Sequence, residues 1–259
     1  MKIKYTKKLF LLCTLYLISF GSHGAMVISI PKSGTNLLKK TLMKMLKKPY
    51  IMESLMPSSL HDFNLTYISP KDLDIAIKKH KNSILHSHMH YSEERKKVLL
   101  LHKTKIIFNI RDPRDLTISR AFYLYQSHQF PQFSHLTFKE LVEDYIKEII
   151  NEYNFFLPWM NYPYVVITRF EDLVGEKGNG NDYSQLKTLE RIQSHLQTNF
   201  KKTELEKIGN TLFGDNAGTF REGKIGSWKE YLTSDQKDLF KTYSGDLLYK
   251  LGYEKNSDW

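Results

Sequence analysis

The chain has 259 residues, of which 41% are hydrophobic. That is enough to bury one large core and too little for two comfortable domains. A formal net charge of +10 suits anionic ligands, although a solvated lysine-rich surface is an equally good source of the excess. The only cysteine, Cys13, excludes an intramolecular disulfide and permits a reducing compartment.

The first 25 residues have the layout of a signal peptide. Lysines at positions 2, 4, 7 and 8 precede an apolar run over 9–20, and small residues follow at 21–25. The run is short of the ~20 residues that a membrane-spanning helix needs, so it would be a marginal anchor. A core strand begins close behind it, at about Met26. We expect residues 1–25 to be a signal-like or membrane-anchor segment, or an upstream extension, and the functional domain to span 26–259.

The next segment predicts a strand, an anion-binding turn and the start of a helix. Apolar residues 26–30 precede Pro-Lys-Ser-Gly-Thr-Asn at 31–36. Gly34 permits a sharp turn, Lys32 supplies a charge, and N–H groups at a helix N-terminus point toward bound anionic oxygen. Further polar groups come from Ser33, Thr35 and Asn36. A phosphate or sulfate is predicted here, with a polar surface turn as the plainer alternative.

An amphipathic helix follows, and then a segment rich in histidine. Leucine and methionine at positions 38, 42, 45 and 46 share one helical face, and the helix should end at Pro49. Residues 50–67 predict a mixed loop beside a pocket. The stretch 83–90 predicts a strand running into a loop, with His86, His88 and His90 on one face. These histidines suit general-base chemistry, a transition-metal site, or no chemistry at all.

A second candidate anion contact follows the apolar run 105–110, which predicts a strand buried on both faces of a parallel sheet. Arg111 comes directly after this strand, and a helix would carry Ser119 back toward the strand's end. Because ligands of open α/β sheets bind at the carboxyl ends of strands, a planar guanidinium and a hydroxyl here can grip a phosphate. A salt-bridged turn that caps the helix is the alternative.

The second half of the chain alternates helices and strands. Thr137 and Glu140 predict a capping box for a helix through residue 150, and Tyr164–Thr168 predicts another buried strand. A loop over 177–181 precedes a helix, and a final helix follows Thr233. Alternating strands and helices predict a three-layer α/β/α domain around a central, mostly parallel sheet.

The last motif is a glycine-containing loop at 220–229. Gly223 and Gly226 permit close backbone approach to an anion, which Arg221 and Lys224 would neutralise. For Trp228, packing in the core as an anchor of this loop is a better interpretation than direct stacking on a ligand.

Taken in order, these segments resemble sulfotransferases that use 3′-phosphoadenosine 5′-phosphosulfate (PAPS) as donor. The resemblance covers about 26–253 and implies the P-loop NTPase-like sulfotransferase fold. It implies that residues 32–36 hold the 5′-phosphosulfate. The 3′-phosphate would be held by Arg111, Ser119, Arg221 and Gly223.

The adenine side of the donor site departs from the common pattern of this family. Phe170, before Glu-Asp, stands where relatives contact adenine, usually with a Tyr. Leu37 replaces a Trp that stacks on adenine in many cytosolic relatives, and Glu222 replaces a Lys. The differences at Phe170 and Leu37 imply weaker binding of adenine or a substitute aromatic residue, and Glu222 implies the loss of one charge contact to the 3′-phosphate.

The resemblance also implies a chemistry, the in-line transfer of a sulfuryl group to a hydroxyl or amine. Lys32 would stabilise the oxygen of the leaving nucleotide, and His88, at the position of the family's catalytic His, would be the general base. His86 then replaces the Lys that accompanies that His. Glu53 is the reserve base, because a carbohydrate-directed branch uses Glu. No metal is expected.

The predicted function is therefore PAPS-dependent sulfotransfer to a small-molecule acceptor, in the cytoplasm or at a membrane on the side where the donor is available. The main alternative is a non-catalytic adenosine 3′,5′-bisphosphate-binding protein. A kinase-like phosphotransferase is disfavoured by the position of Lys32, because a P-loop kinase has its Lys after the last glycine. No basic stretch interleaved with aromatic residues supports nucleic-acid binding. The oligomeric state stays open.

Overall fold

The computed structural model describes residues 25–46, 68–81, 83–126, 130–214 and 222–259. The N-terminal segment before Ala25 lies outside these residues, as do two predicted site residues, Glu53 and Arg221. The whole of the mixed loop 50–67 also lies outside them. No helix of the described residues is long and apolar enough to cross a membrane.

A parallel sheet forms the centre of the described fold. Its strands are β1 (Ala25–Ser29), β2 (Leu85–Ser87), β3 (Lys105–Ile110) and β4 (Val165–Arg169), in the order β2-β1-β3-β4. Every neighbouring pair is parallel, with Val27 opposite both His86 and Ile107. All four carboxyl ends therefore lie at one edge of the sheet, as the sequence predicted for an open α/β sheet.

The two central strands divide their side chains between two cores. Met26 and Ile28 of β1 pack into one apolar cluster, and Val27 packs into another. In the same way, Phe108 and Ile107 of β3 belong to opposite clusters. Because side chains alternate across a strand, the sheet has a core on each face, and the predicted three-layer arrangement is confirmed.

Ten α-helices surround the sheet in the described part of the chain. They are α1 (Thr35–Leu46), α2 (Pro70–Lys79), α3 (Glu93–Leu101), α4 (Pro113–Gln126), α5 (Phe138–Phe156), α6 (Phe170–Leu173), α7 (Asp182–Leu196), α8 (Lys202–Gly209), α9 (Trp228–Tyr231) and α10 (Ser234–Leu251). The predicted capping boxes are present at Thr137 for α5 and at Thr233 for α10, and Gly252 ends α10 in a left-handed conformation.

Strand β4 differs from its prediction. The sequence predicted a buried strand over Tyr164–Thr168, but the strand begins at Val165 and ends at Arg169. Thr168 is its one fully buried residue, and Tyr164 is 39% exposed. The reason is position, because β4 is the outer strand of the described sheet and borders β3 on one side only.

Candidate functional site

The loop that leaves β1 has the conformation of an anion-binding turn. Gly34 has a φ of 96°, and Lys32 has a φ of 69°, in the left-handed region that favours glycine. The N–H of Ser33 donates to Ile30 O at 3.0 Å, and α1 begins at Thr35. The first N–H groups of a helix have no partner within that helix, so this turn directs them toward a ligand.

A buried hydrogen-bond network fixes this loop to the sheet. Ser33 Oγ donates to Asn109 O at 3.2 Å, and Asn109 Nδ2 donates to Ser33 O at 2.5 Å. Thr168 Oγ1 donates to Asn109 Oδ1 at 2.8 Å. The hydroxyl proton of Ser33 therefore points to β3. Ser33 holds the loop in place in this structure, and its predicted contact to a cofactor stays a prediction.

Arg111 joins the β1 loop to the C-terminal loop. Its Nη1 donates to Lys32 O at 3.4 Å, and its Nη2 donates to Lys224 O at 3.0 Å. The Arg111 side chain is buried, and its Nε has no hydrogen-bond partner among the described residues. A buried donor without a partner is costly, which makes this position fit for an anion.

Phe170 packs against both of the predicted anion-binding segments. Its ring centroid lies 4.3 Å from the Arg111 guanidinium carbon. It also fills the space beside Gly34, where an added Cβ would clash with a ring carbon. Position 34 thus requires glycine for two reasons, the positive φ and the close approach of the Phe170 ring.

Asp115 anchors the C-terminal loop, a role that the sequence did not reveal. Its Oδ2 accepts from Gly226 N at 2.7 Å, and its Oδ1 accepts from Trp228 N at 3.0 Å. Burial raises the pKa of Asp115, and the nearby Arg111 guanidinium acts in the opposite direction. Gly223, a predicted anion contact, has a φ of 64° in this same loop.

Three further predicted residues lie on helices at this edge of the sheet. Thr35 Oγ1 lies 2.8 Å from Ser29 Oγ, which links the start of α1 to the end of β1. Asn36 is exposed on the first turn of α1, and Ser119 is half-buried in the second turn of α4. The Lys32 ammonium lies 4.4 Å from the ring centroid of Tyr123, which is also on α4.

His88 lies at the carboxyl edge with one ring nitrogen already bonded. Its Nδ1 is 2.6 Å from Ser29 O and 3.4 Å from Ser29 Oγ. A carbonyl oxygen only accepts, so Nδ1 carries the proton and Nε2 keeps its lone pair in the neutral ring. Burial lowers the pKa of His88 to about 4, which keeps the imidazole in its proton-accepting form at neutral pH.

The other two histidines have different surroundings. His86 is buried, its Nε2 lies 3.3 Å from Ser29 Oγ, and burial lowers its pKa well below the usual value. His90 stacks on Phe155 at 4.3 Å between centroids. Among the described residues, no three metal-ligating side chains come together, so the predicted metal alternative finds no support in their geometry.

A cavity of about 450 Å³ opens beside His88. Its mainly apolar wall is formed by Leu124, Phe133, Leu136, Leu141, Phe155 and Phe156. Pro31, next to Lys32, also lines it, so the cavity adjoins the β1 loop. Its size suits a small organic molecule.

Two charged residues of the cavity wall were not identified from the sequence. Arg120 is buried on α4, and its charge interacts with that of Glu152 on α5. Burial raises the pKa of Glu152 to about 7, while the charge of Arg120 acts to lower it. Glu152 has no sequence signal of its own, because it lies in a helix with several other acidic residues.

Comparisons with known proteins agree with the architecture. A family model described as a sulfotransferase domain matches residues 23–252. The chain is similar to mouse sulfotransferase SULT7A1 complexed with PAP, at 21% identity over 94% of this chain and 92% of that chain, with a TM-score of 0.65. It is also similar to retinol dehydratase in complex with androsterone and inactive cofactor PAP, at 13% identity, 91% and 83% coverage and a TM-score of 0.61. These likenesses show the fold, and no curated protein matches the chain in sequence.

Proposed function

This chain belongs to the sulfotransferase domain family, and on that premise we propose that it transfers the sulfuryl group of PAPS to a hydroxyl or amine of a small acceptor. One observation carries the proposal. Arg111 bonds the backbone of both the β1 loop and the C-terminal loop, so three segments far apart in sequence meet at the carboxyl edge of the sheet. Adenosine 3′,5′-bisphosphate (PAP) is the other product.

The residues at this meeting point suit a donor with two anionic ends. The turn at Gly34 and the start of α1 provide N–H groups for one end. The buried Nε of Arg111 and the backbone of the loop around Gly223 provide for the other. When bound, the donor supplies the activated sulfuryl group. The PAP named with both similar structures supports the same choice of nucleotide.

Lys32 and His88 have complementary tasks in this proposal. The Lys32 ammonium neutralises negative charge that develops on oxygen at the β1 loop. His88 accepts the acceptor's proton at Nε2, because Nδ1 is held by Ser29 O. A nearby anion raises the pKa of a histidine, so an occupied donor site stabilises the imidazolium that results.

The direct test incubates the protein with a donor carrying radiolabelled sulfate and a mixed library of phenols, alcohols and amines. Mass spectrometry then identifies which acceptor has gained the sulfuryl group. We expect Lys32→Ala and His88→Ala to abolish turnover, and Arg111→Ala to weaken retention of PAP. Lys44→Ala, on the exposed last turn of α1, is the matched control and should transfer label as the wild type does.

Two results separate the alternatives. A protein that binds PAP in calorimetry but labels no acceptor would be the non-catalytic bisphosphate-binding protein. A protein that binds neither PAPS nor PAP would contradict both functions, because both depend on the same anion site.

A further inference from the structure

The cavity beside His88 has an acidic wall, in contrast to the basic chain as a whole. Asp144, Glu148 and Glu152 are spaced by four residues along α5, so they lie on one face of that helix, and all three line the cavity. The chain has a net charge of +10, yet the described lining of this cavity carries three carboxyl groups and one guanidinium, that of Arg120.

The two histidines of the lining add no positive charge to offset its carboxyl groups. Burial lowers the pKa of both His88 and His90 to about 4, so both rings are neutral at physiological pH. Arg120 faces Glu152 inside the cavity, but its charge does not fully offset the burial of that carboxyl group. The other two acidic residues of the lining, Asp144 and Glu148, are exposed. A ligand cation would compensate this excess of negative charge.

A second observation on the same wall points to a ligand. The hydroxyl of Tyr145, between Asp144 and Glu148 in the sequence, is buried and has no hydrogen-bond partner among the described residues. Tyr145 also lines the cavity. A phenolic oxygen accepts a hydrogen bond, so an ammonium group beside it would satisfy a polar atom that otherwise has no partner.

The cavity also has a direction. His88 is the deeper residue, and Asp144 and Glu148 are exposed to solvent, with apolar side chains such as Leu141 and Phe155 also in the wall. A molecule with a hydroxyl for His88, an apolar body for the apolar wall and a cationic group for the exposed carboxyl groups matches these surfaces. A neutral or anionic molecule of the same size does not.

We propose that the acceptor is a small hydroxyl compound with an apolar body and a protonated amine, and that the α5 face of Asp144, Tyr145 and Glu148 recognises the amine. This inference rests on the proposed sulfotransfer in one respect, because the bound compound is an acceptor only if the protein transfers a sulfuryl group. Binding of the amine to the cavity can be measured without turnover.

The test compares two matched pairs of compounds that differ in the amine. Tyramine is compared with 4-ethylphenol, and 6-aminohexanol with hexanol, by calorimetric titration of the full chain saturated with PAP. We expect the amine to bind about tenfold more tightly than its neutral partner in each pair that binds. The preference should fall to about twofold in the double variant Asp144→Asn, Glu148→Gln, because each exposed carboxylate adds a modest attraction.

Glu143→Gln is the control, since Glu143 lies on α5 but pairs with Lys139 at 3.8 Å and does not line the cavity. It should keep the full preference for the amine. Equal binding of amine and neutral compound, or a preference that survives the double variant, would overturn the proposal, as would failure of all four compounds to bind. PAP binding is measured on the same samples. Its retention would show that the donor site stands and that only the acceptor assignment has failed.

Discussion

His88 shows how much of a residue's chemistry depends on its neighbours. The resemblance predicts that His88 is the base, but the bond from Nδ1 to Ser29 O decides which nitrogen is available. Its pKa also departs from the ordinary value of histidine, because desolvation of the ring and the positive charges of Arg120 and Lys39 disfavour the protonated form. The structure thus explains why this histidine stays neutral at physiological pH.

The pKa of His88 gives a prediction for stability. The unfolded chain binds a proton at this histidine near pH 6.5, whereas the folded chain does so at about 4. The unfolded state therefore binds more protons between these values, and the stability that His88 contributes is lost as the pH falls through that window. We expect the wild type to lose more unfolding free energy than His88→Gln when the pH changes from 7 to 5.

Chemical denaturation of both proteins at the two pH values provides the measurement. His86 and His90 have pKa values shifted in the same direction, and Glu152 and Glu171 in the opposite one, but all four residues are present in both proteins. The contributions of His90, Glu152 and Glu171 cancel in the comparison, and that of His86 differs between the two proteins only through its charge coupling to His88. An equal change in the two proteins would show that His88 titrates normally.

At the scale of single residues, the sequence predicted the positions of those that belong to a recognisable anion-binding motif. Lys32, Gly34 and Arg111 lie where the motif predicted, at the ends of β1 and β3. It missed Asp115 and Asn109, because their roles depend on partners far along the chain. An acidic residue in a first helical turn is ordinary, and only the fold shows that Asp115 receives two N–H groups of the C-terminal loop.

At the scale of elements, the site depends on connections between the ends of strands. Predictions succeeded where a local signal was strong, as with the capping box of α5 and the apolar run of β3. The sequence analysis predicts neither α2 nor α3, although Ser69 and Ser92 cap these helices by accepting backbone N–H groups. Both helices are short, so the apolar period alone was too brief to mark them.

The connection through Asp115 can be tested alone. Asp115→Asn replaces one of the two accepting oxygens with an amide that cannot accept from Gly226 or Trp228. We expect a loss of about 1–3 kcal/mol of unfolding free energy and weaker binding of PAP, because the loop around Gly223 loses an anchor. Calorimetry with PAP and denaturation with urea measure the two effects.

Asp238→Asn is the matched control, because the Asp238 side chain is 76% exposed on α10. It should change neither quantity. Wild-type affinity for PAP in Asp115→Asn would show that the loop position does not depend on this carboxylate.

At the scale of the whole molecule, residues 253–259 close over the carboxyl edge of the sheet, against Arg114 and Glu171. Arg114 lies between Trp228 and Trp259, at 3.9 and 4.5 Å from their ring centroids, and bonds Glu254 at 2.6 Å. Tyr253 OH donates to Glu171 Oε2 at 3.1 Å. The sequence predicted the α/β class from alternating elements, but it gave no sign that residues after α10 take part, since they have no periodic pattern.

Removal of residues 254–259 tests this closure. The deletion takes away Glu254 and Trp259 and leaves the buried Arg114 with Asp112 as its acidic partner. We expect a loss of about 2 kcal/mol or more of unfolding free energy and a smaller stabilisation by PAP in thermal melts. The substitution Lys255→Gln, exposed in the same tail, controls for changes in charge. A truncated protein with unchanged melting and PAP response would contradict the closure.

The left-handed backbone at Lys32 has a consequence for any attempt to make this protein more robust. Glycine adopts that conformation without the steric penalty that lysine bears, so Lys32→Gly relieves strain in the folded chain. The same change removes the ammonium group on which the proposed transfer depends. A library ranked by heat resistance alone would enrich this substitution and discard the activity, so thermostability screens need a turnover step at every round.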